Sequence, residues 1–312
     1  MMNWIENHSQ LDKLASILQY TSLELAEIAT DISTKYTCFP RRKTETSVRW
    51  INAPKPELKE CQRRILESIL YARPCHECAH GFVPNRSIVS NAKPHVQQQW
   101  IGNFDIKSFF PSTTKELVQQ VWNRFEQFND WEIQCLTEIS CLKEQLPQGA
   151  PTSPYIANLV LFEEDEIFAS FAQKHGLKYT RYADDLTFSG PWLPKDIVQF
   201  IRETLTPKGY RLAPHKIHFY GQHQRQMVTG LVVNEHIALP RPIRKRLRAV
   251  LHDIESNGVE QALEKGGWEI DQLMGWIALP SQWDPKETKL QIEHLQALLQ
   301  TTHPKSTSDS QN

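Results

Sequence analysis

The stretch YTRYADDLTFSG, residues 179–190, constrains the fold more than any other part of the chain. Tyr179, Arg181 and Ala183 alternate with Thr180 and Tyr182, and Leu186 and Phe188 continue an apolar face beyond Asp184 and Asp185. That two-residue period predicts two short strands closed on each other, with the paired carboxylates at the tip. A hairpin with one buried face is pinned in register, because a slip of one residue would turn its apolar side chains to solvent. Adjacent Asp residues in a turn ordinarily do no more than bond nearby backbone N–H groups. Two fixed like charges are costly, however, unless a cation sits beside them, and a set of oxygen ligands suits Mg²⁺.

A second feature is NFDIKSFF, where Asp105 ends an expected core strand between Phe104 and Ile106. If this strand neighbours the hairpin in one sheet, Asp105 meets Asp184 and Asp185. Two Mg²⁺ ions about 4 Å apart, held by such a cluster, activate an attacking hydroxyl and stabilise a leaving pyrophosphate without any nucleophilic side chain.

The rest of the chain frames this centre. With 312 residues, 40% of them hydrophobic, it can bury a full core and divide into two or three lobes. Residues 9–35 read as a helix, FPRRKTETSVRWINAP as a basic hairpin, and Pro56 as the first turn of the next helix. Thr113 with Glu116 predicts a capping box for helical sequence running through Phe128, and a second helix continues to Leu142. LPQGAPTSP is a loop, a long helix is expected from about Tyr155 to Gly176, and another from Pro194 to Lys208. Short strands follow at KIHFY and VTGLVVN, then helices at IRKRLRAVLHDIESNG, WEIDQLMGWIAL and from Asp284 onward. Helices, a mixed centre and more helices make an α+β chain.

A net charge of −1 excludes a protein that coats nucleic acid everywhere. The charge is unevenly spread: residues 41–73 hold nine Lys or Arg against four acids, and 201–250 hold ten against two, while EEDE at 163–166 is acidic. Localised basic surfaces on a neutral body point to a groove for a polyanion. No run approaches the roughly 20 apolar residues of a membrane span, and the N-terminus lacks a signal-peptide pattern, so a cytoplasmic chain without membrane contact is expected. Six irregularly spaced cysteines fit a reduced compartment. CHEC at 75–78 has metal-like spacing but no second Cys pair, so ordinary thiols are the expectation.

In order and spacing the boxes VRWINAPKPELKECQ, FDIKSFF, LPQGAPTSP and YADD resemble those of the reverse transcriptases. NAKPH at 91–95 and VTG at 228–230 resemble signatures of the bacterial retron branch. The resemblance implies a right-hand polymerase: an N-terminal extension to residue 35, fingers from 36–98 and 113–148, a palm of antiparallel sheet plus helices from 99–112 and 149–235, a helical thumb from 236–300, and a disordered tail from 301. It further implies that Asp105 and Asp184 ligate two Mg²⁺ ions, with Asp185 beside them. Phe110, five residues after Asp105, corresponds to a steric gate against a ribose 2′-OH. Gln148 and Gly149 correspond to residues against the incoming nucleotide, Arg49 and Lys43 to its triphosphate contacts, and Lys216 to a proton donor for pyrophosphate. TETSV stands where relatives often carry a Gly-containing turn, which leaves the register of Arg41, Arg42 and Lys43 open.

Asn91 is a candidate RNA contact, His95 is a core or RNA-contacting histidine, and Arg244, Lys245 and Arg248 on a thumb helix are candidate contacts to the RNA backbone or a solvated helix face. The implied activity is RNA-directed DNA synthesis from dNTPs on a cognate retron non-coding RNA. Priming from the 2′-OH of an internal guanosine would give a branched RNA–DNA hybrid (msDNA), with a role in anti-phage defence beside a neighbouring effector protein. A scaffold that stores the hybrid and restrains a toxic effector, and an intron or diversity-generating enzyme, are the alternative readings.

Overall fold

The computed structural model describes residues 3–42 and 48–302. The first helical stretch is broken where one helix was expected. Helix α1 (Asp12–Leu18) ends at Gln19 in the left-handed region, and α2 (Ser22–Ala29) starts afresh from a capping box of Thr21 and Glu24. Strands β1 (Tyr36–Arg42) and β2 (Val48–Pro54) form the basic hairpin, and α3 (Pro56–Ser68) follows with Leu58, Cys61 and Ile65 inward. A loop leads to the short α4 (Ile88–Ala92) and then to β3 (Trp100–Asp105).

Past β3 come α5 (Phe109–Ser112), α6 (Lys115–Trp122) and α7 (Asp130–Ser140). The residue capping α6 is Thr114, and its side chain caps no backbone N–H of the helix. The expected box at Thr113 does not form, because the buried Thr113 hydroxyl bonds the Phe109 carbonyl at 3.0 Å and the Tyr210 hydroxyl at 2.7 Å. Phe125 and Phe128 lie beyond α6 in the connection to α7 yet remain buried. The expected long helix is two, α8 (Ser153–Val160) and α9 (Phe162–Lys174), with the break at Leu161 marked by neither Gly nor Pro.

The catalytic-looking hairpin is β4 (Lys178–Tyr182) and β5 (Asp185–Gly190), followed by α10 (Ile197–Leu205) and β6 (His218–Gly221). These strands and β3 make one four-stranded antiparallel sheet in the order β4-β5-β3-β6. Phe104 and Phe188 meet edge to face beneath it, with Phe168 and Tyr179 completing the aromatic centre of a first hydrophobic core.

A tight pair, β7 (Met227–Val228) and β8 (Leu231–Val232), leads into α11 (Arg241–Asn257), α12 (Val259–Gly266), α13 (Ile270–Ala278) and α14 (Pro285–Thr302). Leu247, Val250 and Ile254 of α11 pack with Ala262, Leu273 and Ile277, and with Val228 and Leu231, in a second core. Helix α14 runs through Thr302, the first two residues of the expected tail included, and 303–312 lie outside the described residues. Among the described residues no helix is long and apolar enough to cross a membrane.

Candidate active site

Strand register brings the three carboxylates together. Asp105, last in β3, is the direct cross-strand partner of Asp185, first in β5, and the Ile106 N–H donates to the Asp184 carbonyl at 2.9 Å. All three line one cavity of about 640 Å³ with Arg49, Tyr182, Lys216, His218, Met227, Thr229 and Gly230. Lys216 forms an ion pair with Asp105. Burial, then the neighbouring Asp105 charge, raises the Asp184 carboxyl above its ordinary range. Burial within the cavity and the charges of Asp184 and Asp105 push Asp185 up to about 7, although its outer side remains open to solvent.

The donor chemistry suits a hard divalent cation: carboxylate oxygens only, mutually repelling, with an ammonium already drawn to one of them. Among the described residues no three His, Cys, Asp or Glu side chains converge tightly enough to enclose an ion. The carboxylates share a wall of the cavity, so substrate phosphate oxygens would complete the coordination, as is usual for Mg²⁺.

The turn that carries Asp184 is supported from below. Ala183 has φ 57°, a conformation that costs energy for a residue with a Cβ. The fully buried Arg181 guanidinium donates to the Ala183 carbonyl at 3.0 Å and to Asn158 Oδ1 at 2.8 Å, and pairs with both oxygens of Asp165 at 2.8 and 2.5 Å. Asn158 in turn donates to the Gly81 carbonyl at 2.8 Å. Gly81 lies so close that a Cβ there would sit 2.6 Å from the Ala183 nitrogen. Sequence reasoning missed this network: EEDE reads as an acidic surface, yet Glu164 and Asp165 are buried, and Asp165 answers Arg181.

The basic hairpin reaches the same cavity through Arg49, which lies directly opposite Arg41 in the register. Two facing guanidiniums repel each other unless an anion lies between them, and neither makes an ion pair among the described residues. Arg41 is therefore a candidate that the sequence left open, while Lys43 lies outside the described residues. The Asn52 N–H donates to the Gln148 carbonyl at 2.8 Å, and a Cβ on Gly149 (φ +131°) would meet Asn52 O at 2.8 Å. The loop thus lies directly on β2. Phe110 packs on Phe109, and neither Phe110 nor the Gln148–Gly149 pair lines the cavity with the carboxylates.

Two candidate RNA contacts are corrected. Asn91 and His95 are both 0% exposed, so neither side chain can touch a bound RNA. His95 instead bonds Ser189 Oγ through Nδ1 at 2.6 Å and Thr180 Oγ1 through Nε2 at 2.8 Å. Arg244, Lys245 and Arg248 are exposed on α11. In CHEC, His76 faces Glu166 at 3.2 Å, and burial raises both the Cys75 and Cys78 thiols, which keeps them protonated.

Residues 41–233 match the family described as reverse transcriptase (RNA-dependent DNA polymerase). The chain is 31% identical to the retron Ec86 reverse transcriptase of Escherichia coli, covering 91% of this chain and 87% of that one. It is 32% identical to the retron Mx162 reverse transcriptase of Myxococcus xanthus over 87% of this chain, and 35% identical to the retron Mx65 enzyme of that organism over 78%. Of those two relatives it spans 62% and 61% of the length.

Proposed function

The chain belongs to the reverse transcriptases, on their retron branch, and from that premise we propose that it copies part of a cognate structured RNA into DNA. The observation that carries this reading is the register that sets Asp105 against Asp185, with Asp184 in the adjoining turn of the same cavity. Asp105 and Asp184 would hold two Mg²⁺ ions, with Asp185 adding negative charge beside them. Bound there, such ions would supply activation of the priming hydroxyl and charge compensation for the departing pyrophosphate.

The chain's own residues do the positioning. Arg49, with Arg41 opposite, grips the triphosphate, whose charge calls for fixed cations outside the chemistry. Lys216, beside Asp105, donates a proton to the pyrophosphate. Phe110 bars a ribose 2′-OH, and Gln148 and Gly149 lie against the incoming dNTP once it is bound. The β1–β2 hairpin and neighbouring helices act as fingers, the four-stranded sheet as palm, and α11–α14 as thumb, with Arg244, Lys245 and Arg248 on the RNA backbone.

The template is a retron non-coding RNA, priming is from the 2′-OH of an internal guanosine, and the branched product acts with a neighbouring effector in defence. Incubating the protein with the structured RNA encoded beside its gene, Mg²⁺ and dNTPs should yield DNA joined to RNA. An Asp184→Ala variant that still made DNA would sink the catalytic assignment, and a product lacking the 2′ branch would sink the retron-type priming.

A further inference from the structure

The NAKPH and VTG strings share no chemistry, yet the fold joins them through one segment. Helix α4 and the turn Lys93–His95 lie between the β4–β5 hairpin and the β7–β8 turn. On one side, His95 bridges Thr180 of β4 and Ser189 of β5. Thr180 donates its only hydroxyl proton to the Asn91 carbonyl at 3.3 Å, so it accepts from Nε2–H, and the bare Nδ1 accepts from Ser189. One neutral imidazole thereby ties both strands of the hairpin whose turn holds Asp184 and whose second strand begins at Asp185.

On the other side, the Thr229 hydroxyl donates to the Ile88 carbonyl at 2.9 Å, and the Gln97 N–H donates to the Val233 carbonyl at 3.0 Å. Thr229 and Gly230 have φ 46° and 82°, the left-handed pair of a two-residue hairpin turn that Asn-Gly adopts at least cost. A β-branched residue at the first position is strained, and the bond to Ile88 is what its hydroxyl gains there. Ile88, Thr229 and Gly230 line the same cavity as the three carboxylates.

We propose that residues 88–97 are a brace that fixes the distance between the carboxylate hairpin and the Thr229–Gly230 turn, so that the nucleotide bearing the priming hydroxyl is held against Asp105 and Asp184. His95 is then a positioning residue, Asn91 enters through its backbone carbonyl, and Thr229 is kept for its bond to Ile88. This rests on the polymerase reading above. Displacing a reacting group by about 1 Å costs up to about 100-fold in rate, so a slack brace lowers kcat and scatters the start site while dNTP binding persists.

The test compares wild type, Thr229→Asn, Ser189→Ala and the double variant on the cognate RNA. Thr229→Asn relieves the turn and removes the methyl-bearing side chain bonded to Ile88. It should leave Tm unchanged or raised, lower kcat by about tenfold or more, leave the KM for dNTP within about twofold, and spread DNA 5′ ends over several template positions. Ser189→Ala should act in the same sense, and the two effects should not multiply independently, because they slacken one segment. Wild-type kcat and a single start site in Thr229→Asn, or effects of the two substitutions that multiply independently, would overturn the brace. If wild type itself makes no DNA, the polymerase reading fails instead, and the two failures are distinguished.

Discussion

Arg181 shows how much of the site depends on residues that touch no substrate. Its guanidinium is the floor of the Ala183 turn, and Gly81 is the point where the 75–87 loop meets that turn backbone to backbone. A methyl group at residue 81 has nowhere to go, since its neighbours at 2.6 and 3.1 Å are main-chain atoms of Ala183 and Tyr182. Gly81→Ala should therefore shift the turn, costing about 1–3 kcal/mol of stability by overpacking and at least about tenfold in the rate of primer extension; a variant with wild-type extension kinetics would show that the loop does not set the turn. His95 supplies a pH prediction. Burial, more than the nearby His80 and Lys178 charges, pushes its imidazole down to about 3, whereas an unfolded histidine titrates near 6.5. Between these values the unfolded chain binds more protons than the native one, so His95's contribution to stability is complete above about 6.5 and is lost as pH falls toward 3. Thermal melts from pH 7.5 down to 4.5 should show a steeper fall for wild type than for His95→Gln, which carries no ionisable group; parallel curves would contradict a neutral buried imidazole.

Among elements, the alternating strands of the carboxylate hairpin were legible because they are written in a local period, whereas VTGLVVN, expected as one short strand, folds into the β7–β8 hairpin turning at Thr229 and Gly230. The break between α1 and α2 was missed, because the apolar run from Leu11 to Ile32 spans the Thr21–Glu24 capping box that marks it. What the local pattern could not supply were partners brought in by the fold. Arg181 occupies an inward strand position whose answer, Asp165, lies 16 residues earlier on α9. His95 reads as either a core or an RNA-contacting histidine until Thr180 and Ser189, 85 and 94 residues away, close over it and decide for the core. Helix α11 is the opposite case, since Arg244, Lys245 and Arg248 are exposed as its periodicity predicts, with Lys245 opposite the Leu247, Val250 and Ile254 stripe and Arg244 and Arg248 flanking it beside Leu247 and Leu251. If these cations lie on RNA phosphates, replacing all three by Ala should weaken binding without changing which RNA is preferred. The slope of log K against log salt should flatten by about 2, from about 0.7 per single-stranded contact. An unchanged slope would make them a solvated face.

At the scale of the whole molecule, the chain builds two hydrophobic cores and sets the carboxylate cavity where they meet. Asp105, Asp184 and Asp185 stand on the sheet over the first core, while Ile88, Thr229 and Gly230 belong to segments anchored in the second. The α11–α14 helices are therefore tied to the cavity through one wall of it, and their packing should be felt there without melting the sheet. Leu273 offers a clean perturbation, since it is 0% exposed within the second core and remote in sequence from every cavity residue. Leu273→Ala should cost about 2–5 kcal/mol by lost burial and cavity formation. Hydrogen exchange should then quicken in peptides spanning 228–278 and in 88–97, which share that core, while 178–190 keeps its protection. DNA synthesis should fall although all three carboxylates are intact, because the wall opposite them has loosened. Equal deprotection of 178–190 would mean that the two cores unfold as one unit, and that the cavity is rigid throughout instead of hinged along one side.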